Sequence, residues 1–332
     1  MSLALASLFT ISAQAEGQVK IVGSSTVFPF SSAVAEQLGA TGGGATPVVE
    51  STGTGGGMKL FCAGNGDTTP DITNASRRME ANEFATCSKN GVTNITEVMF
   101  GFDGIVLAQS KKAKGMSLSK KQIMLAIAKE VPSADGKSLV PNTYKTWNEI
   151  DASLPNRPIT VYGPPKSSGT RDSFEEMVME SVSKGELKGA YGKKYNSMRT
   201  DGVWIDSGEN DNLIVQKLGK NTNAVGIFGY SYLEENRNKI ASVSVDGKAP
   251  TAGNISNGAY PISRTLYFYI KNDHKASKPA IQKYATLFTS EAMIGDRGSL
   301  KKLGLIPLAK GLRTGNAKRV ATGAKMSSAG LK

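Results

Sequence analysis

Cysteine and histidine are nearly absent from this chain: its 332 residues hold two cysteines, one histidine and two tryptophans, and aromatic residues make up 7%. A zinc site of the Cys/His kind needs three or four such ligands, and a disulfide-dense scaffold needs several pairs, so both are excluded. The one histidine, His274, lies in the polar run Asn272-Asp273-His274-Lys275, where nothing has ligand or triad spacing, and it reads as a surface residue. The few aromatics fall mostly in strand-like runs such as Tyr267-Phe268-Tyr269 rather than among basic residues, which argues against a nucleic-acid groove. No apolar run is long enough to span a membrane. Acids are missing from the end of the chain: from Ala309 onward there are Lys310, Arg313, Lys318, Arg319, Lys325 and Lys332 and no acid, which is half of the net charge of +12. That basic stretch, 309–332, with its Gly, Ala and Ser, reads as a disordered tail.

What is present is enough apolar sequence, 39%, for one large or two medium domains, and 37 glycines. The first residues form an apolar run that ends in Ala13-Gln14-Ala15, the small-x-small pattern of a signal-peptidase site, so residues 1–15 read as a leader cleaved after Ala15. No Lys or Arg precedes that run, which points to a start inside a longer precursor; a short buried helix is the alternative. In an exported chain the two cysteines, Cys62 and Cys87, are expected to pair.

Hydroxyl and glycine residues cluster at helix starts. Ser167-Ser168-Gly169-Thr170-Arg171 follows Pro164-Pro165 and opens a helical pattern through Phe174 and Met177. The first N–H groups of a helix lack intrahelical partners and the dipole there is positive, so such a cluster suits an oxyanion. Arg171 adds a planar fork of donors. Gly23-Ser24-Ser25-Thr26-Val27 after a strand-like Val19–Val22, and Ser51 to Gly57 after a strand-like Pro47–Glu50, repeat the pattern, and Ser76-Arg77 closes a further strand-like piece. Each also reads as a plain cap or turn, since Ser, Thr and Gly are common there for local reasons. The glycine loop at 53–57 lacks the Gly-Lys-Ser/Thr ending of a phosphate-binding P-loop.

Strand-like runs at Val98–Ala108, Ile159–Tyr162, Ala224–Gly229 and Thr265–Ile270 alternate with helical patterns at Lys120–Ala128, Arg171–Ser183, Leu213–Leu218 and Pro279–Phe288. Alternation of that kind predicts an α/β fold with ligands at the carboxyl ends of parallel strands, where the first donor loops fall. The runs Gly104–Ala108 and Leu266–Ile270 are candidates for two strands that cross between lobes. One lobe would then hold residues 16–105 and 260–308 and the other 106–259.

Gly23-Ser24-Ser25-Thr26, Thr52-Gly53-Thr54-Gly55-Gly56-Gly57, Ala75-Ser76-Arg77, Phe102-Asp103-Gly104-Ile105-Val106, Ser168-Gly169-Thr170-Arg171, Tyr260-Pro261-Ile262-Ser263-Arg264 and Leu303-Gly304-Leu305-Ile306-Pro307-Leu308 occur in that order. Together they resemble the periplasmic phosphate-binding proteins of bacterial ABC phosphate importers, over nearly the whole chain. The resemblance implies a type II periplasmic binding fold, two α/β lobes joined by crossover strands, that closes over one phosphate and delivers it to a membrane permease. It implies binding through Thr26 and Val27, Thr54, Ser76 and Ser168-Gly169-Thr170, with no cofactor or metal and a monomeric, periplasmic protein. To these the donor loops add Ser25, Arg77 and Arg171. Two departures stand out. The best-known branch of the family has an aspartate where this chain has Arg77, and an arginine where it has Pro164; Arg171 would offer the guanidinium from the other side. The missing aspartate leaves the acceptor for the phosphate proton unassigned, and Asp103, at the glycine-rich start of the crossover run, is the candidate, with an ordinary turn residue as the alternative.

Two other readings fit the same donors. A receptor for sulfate or a phosphonate would carry the same donors. An exported phosphatase would need a nucleophile with a base or clustered metal ligands, and only Ser181-Val182-Ser183-Lys184, a short S-x-x-K match at a helix end, hints at one.

Overall fold

The protein is described by a computed structural model that covers residues 17–24, 26–42, 45–166, 168–208 and 211–331. The expected leader, 1–15, and Ser25 lie outside the described residues, as does Ser167.

Short runs that end in donor-rich turns make three strands that pair in parallel: β1 (Lys20–Gly23) lies between β2 (Val48–Ser51) and β3 (Ile72–Ala75). Parallel strands need crossover connections. Here they are α1 (Phe28–Ala40), with Pro29 in its first turn, and α2 (Thr54–Phe61). After α3 (Ala81–Lys89) comes β4 (Ile95–Ser110), 16 residues whose burial is almost unbroken because both faces are covered.

The middle of the chain adds α4 (Lys120–Ile127), β5 (Val161–Gly163), α5 (Gly169–Phe174), β6 (Trp204–Asp206), α6 (Asp211–Lys220), β7 (Val225–Gly229) and β8 (Ile240–Val245), before β9 (Ser263–Lys271) returns. Helix α5 runs on through a π-helical stretch, Glu175–Glu180, into Ser181–Lys184. The order across the sheet is β2-β1-β3-β9-β4-β7-β5-β6. β4 changes partner part way. Its first part, Ile95 to Gly104, pairs antiparallel with β9, and from Ile105 to Gln109 it pairs with β7. β4 is thus shared by two halves of the sheet.

The cores divide at the same place. One is built from residues between Ile105 and Ile262, including Trp147, Phe174 and Phe228, joined by Ile306. A second draws on both ends of the chain, with Phe30, Phe100, Phe268 and Phe288 packed edge-to-face or tilted at ring separations of 4.7 to 6.2 Å. A third surrounds the disulfide between Cys62 and Cys87, which ties the end of α2 to α3 as the sequence led us to expect.

Two sequence readings are corrected. The stretch from Lys310 is not a disordered tail but helix α8 (Lys310–Thr322), packed against β4 and against α7 (Ala280–Phe288). Arg313 explains why. It is 3% exposed. Its guanidinium donates to Glu291 (2.9 and 2.9 Å), to Asp296 (3.1 and 3.2 Å) and to the Leu308 carbonyl. Those acids lie upstream of the basic stretch, so composition alone reads the cation as solvated. His274 is not a surface residue either. It is buried, with Nδ1 2.6 Å from Asp71 and Nε2 3.0 Å from the Asn65 carbonyl, while Lys278 donates to both Asp71 oxygens (3.0 and 3.1 Å). Asp71 also accepts the Lys20 N–H at 2.8 Å, so the network binds β1 to the end of β9.

Candidate functional site

The first parallel strands stop side by side, and their donor loops converge at that edge. Two glycines make the convergence possible. Gly23 has φ +127°, and a Cβ there would lie 2.2 Å from the Asn74 carbonyl oxygen. A Cβ on Gly57 would lie 2.5 Å from the Gly23 Cα. Helix α2 therefore sits directly on the β1 turn: a side chain at Gly57 would push the helix off that turn, and one at Gly23 would run into the β3 backbone.

Thr54 and Ser76 meet there. The Ser76 N–H donates to Thr54 Oγ1 at 3.1 Å, and the two hydroxyls are also 3.1 Å apart. Ser76 Oγ in turn accepts from Arg264 Nη1 at 2.8 Å, and the same nitrogen donates to Glu176 at 2.9 Å. Arg264 comes from β9 and Glu176 from the helix that continues α5, so this contact joins β9 to the middle of the chain.

The opposite wall is the start of α5. Ser168 caps it, accepting the Thr170 N–H at 3.2 Å, and Ser173 Oγ donates to the Gly169 carbonyl at 2.8 Å. Ser173 is also hydrogen-bonded to the Thr26 hydroxyl, which brings the β1 loop against α5. The Val27 side chain is buried in the core, and its N–H reaches Ser24 Oγ at 3.4 Å.

Between the β1 turn and the α5 start is a cavity of about 450 Å³, lined by Thr26, Ser51, Asp103, Ser168, Gly169 and Thr170, with Asp211, Tyr232 and Gly304 at its sides; Thr54 and Ser76 lie outside this lining. Hydroxyl and backbone donors from both halves of the sheet thus face one space. Asp103, from the middle of β4, lies directly opposite Arg264 in the register with β9. It shows a little surface to the cavity yet sits deep between the walls. Burial pushes its carboxyl above the usual carboxylate range; the Arg264 charge and the Gly104 N–H pull it down but do not offset burial.

Two expected arginines are elsewhere. Arg77 turns to α3 and donates to Glu83 at 2.9 and 2.7 Å, with Glu80 at 3.4 Å. Arg171 is buried, donates to Glu175 (2.6 Å), to the Pro164 carbonyl (3.3 Å) and to Asp206 (3.4 Å), and stacks 4.4 Å above Trp204. It lines a neighbouring cavity with Lys166 and Arg199, not the one above. Helix periodicity places it there: it follows Thr170 by one residue, about 100° round the helix. Arg264 is the guanidinium that sequence reasoning missed. It closes the motif Tyr260-Pro261-Ile262-Ser263-Arg264, and a cation directly before the strand-like run from Thr265 was the available signal.

Among the described residues no group of His, Cys, Asp and Glu could hold a metal, and no helix is long and apolar enough to cross a membrane.

Comparison with known proteins shows the family. The PBP superfamily domain matches residues 10–292. The chain is 32% identical over 312 residues to protein SphX of Synechococcus elongatus, covering 91% of this chain and 81% of that protein. It is 30% identical over 306 residues to phosphate-binding protein PstS of Staphylococcus saprophyticus, covering 90% and 83%. Among solved structures it resembles a possible phosphate-binding protein from Planctomyces limnophilus, with a TM-score of 0.73 at 27% identity, covering 94% of this chain and all of that one.

Proposed function

The chain belongs to the PBP superfamily, with the phosphate-binding protein PstS among its relatives, and from that footing we propose that it captures inorganic phosphate and delivers it to the permease of an ABC transporter. It is a substrate-binding protein, not an enzyme. The proposed working unit is an exported, periplasmic monomer. Residues 16–105 and 260–308 form one lobe, residues 106–259 the other, and β4 with β9 make the hinge.

The observation that carries the reading is the cavity whose lining brings Thr26 and Ser51 together with Ser168, Gly169, Thr170 and Asp103. An oxyanion stripped of water needs a donor for each oxygen, because an unmatched buried charge costs far more than a lost hydrogen bond. Hydroxyls and helix-start N–H groups supply such donors without adding charge. In this reading the open form takes the anion on Thr26, Thr54 and Ser76, and hinge motion brings Ser168, Gly169 and Thr170 onto it. Asp103 gives selectivity. A fixed carboxylate accepts the proton of hydrogen phosphate and repels sulfate, which has no proton to share. Ser25, Arg77 and Arg171 were expected as ligands on sequence grounds. Of these, Arg77 and Arg171 are assigned here to holding α3 and the α5 start in place.

Thr26→Val and Ser168→Ala remove one hydroxyl from each lobe. Equilibrium dialysis with labelled phosphate should show each weakened about ten- to a hundredfold, the worth of one hydrogen bond to a charged group. Phosphate binding unchanged in both would refute closure over this cavity.

A further inference from the structure

A guanidinium offers five N–H donors, and Nε with Nη2 form one edge whose N–H bonds are parallel, the edge that meets two oxygens of a carboxylate or phosphate at once. Arg77 and Arg171 have spent that edge in part on Glu83 and Glu175. Arg264 has not. Its Nη1 is fixed by Ser76 and Glu176, whereas Nε and Nη2, both buried, have no hydrogen-bond partner among the described residues. The side chain is only 8% exposed. Leaving two donors of a cation dry is costly, so the arrangement calls for an acceptor with two oxygens. Arg264 is bonded to Ser76 and lies opposite Asp103, which lines the cavity, although Arg264 itself is not part of that lining.

We infer that Arg264 is the guanidinium that grips the anion, with Nε and Nη2 each donating to one oxygen while Ser76 and Glu176 hold its plane. This rests on the phosphate reading above and deepens it. The positive charge of the site then comes from the second crossover strand, in place of the arginine that Pro164 displaces, and the Asp103 carboxylate is its counter-charge across the hinge. The two strands that carry the hinge would each place one charged group on the ligand, which ties closure to occupancy.

The test uses the full exported chain and inorganic phosphate. In the parent, the Arg264 Nε–H resonance of ¹⁵N-arginine-labelled protein, assigned by its disappearance in Arg264→Lys, should shift on titration and saturate with the same phosphate dependence as calorimetric binding. Arg264→Gln should lose about thirtyfold or more in affinity, and Arg264→Lys, which keeps the charge and loses the fork, should fall between. A residue that only supported Ser76 would lower affinity without its own Nε–H responding to phosphate. An unmoved Nε–H at saturating phosphate, or Arg264→Gln binding within threefold of the parent, overturns the inference. The resonance is followed on unaltered protein, and whichever of the two variants folds suffices to assign it. A parent that binds no phosphate at all would instead refute the function proposed above.

Discussion

Replacing Asp103 by Asn should uncouple selectivity from stability in opposite directions. The carboxyl is held above its usual range by burial, against the pull of Arg264 and the Gly104 N–H. A carboxyl whose folded-state pKa is raised contributes its full stability below the ordinary carboxylate range and loses it as pH rises through the raised value. Above the ordinary carboxylate range the unliganded parent therefore bears a cost, whether as a buried charge or as a proton held on the carboxyl, that Asp103→Asn removes, and the variant should melt at higher temperature. Binding moves the other way. Phosphate loses a charged hydrogen bond worth about 1.5–3 kcal/mol, roughly ten- to a hundredfold in affinity. Sulfate loses a repulsion that, for unit charges about 4 Å apart at an effective dielectric of about 20, is on the order of 4 kcal/mol. Selectivity should then fall by several orders of magnitude. Calorimetry with each anion, alongside thermal unfolding without ligand, reads both effects. Unchanged selectivity would refute the acceptor role. A lower melting point in the unliganded variant would refute the claim that burial dominates at this carboxyl.

Three further outcomes follow from residues outside the cavity. Converting Cys62 and Cys87 to alanine should cost roughly 3–4 kcal/mol in urea unfolding by the loop-entropy estimate, and a midpoint equal to the parent's would show that the bridge constrains little. Lys271 is fully buried, donating to the Gly64 carbonyl (2.7 Å) and Thr69 (2.8 Å), and burial lowers its pKa to about 8. Because the folded value is depressed, its charge is a cost below about pH 8 that fades as pH climbs toward the ordinary lysine range, roughly 3 kcal/mol in all. The stability gain from pH 7 to pH 10 should shrink in Lys271→Met, and an identical pH profile would contradict the shift. Arg313→Ala should lower stability by about 1.5–3 kcal/mol through its lost bonds to Glu291, Asp296 and Leu308, measured by thermal melting; no change would mean α8 is held by its apolar contacts alone.

The elements set by local pattern were readable in the sequence. The strand-like run Val98–Ala108 falls inside β4, Thr265–Ile270 inside β9, and Lys120–Ala128 coincides with α4 to within a residue. Hydroxyls before a helix, as at Ser168, were readable as well, and the structure shows that capping and a place on the cavity wall go together there. What was not readable are the long-range charge partners. Arg313 looked solvated because Glu291 and Asp296 lie outside its own basic stretch, and His274 looked exposed because Asp71 is 203 residues away. Arg171 looked like a ligand because it adjoins Ser168-Gly169-Thr170 in the chain. Adjacent residues on a helix point in different directions, and only the packing of Trp204 and Glu175 shows which way this one turned.

Calorimetric titration of the exported chain with inorganic phosphate, repeated in excess sulfate, bears on capture and selectivity together. One phosphate should bind per chain, with affinity that excess sulfate leaves in place. No heat with phosphate, or displacement of phosphate by sulfate at comparable concentrations, would contradict a phosphate clamp built on Thr26, Ser168, Asp103 and Arg264.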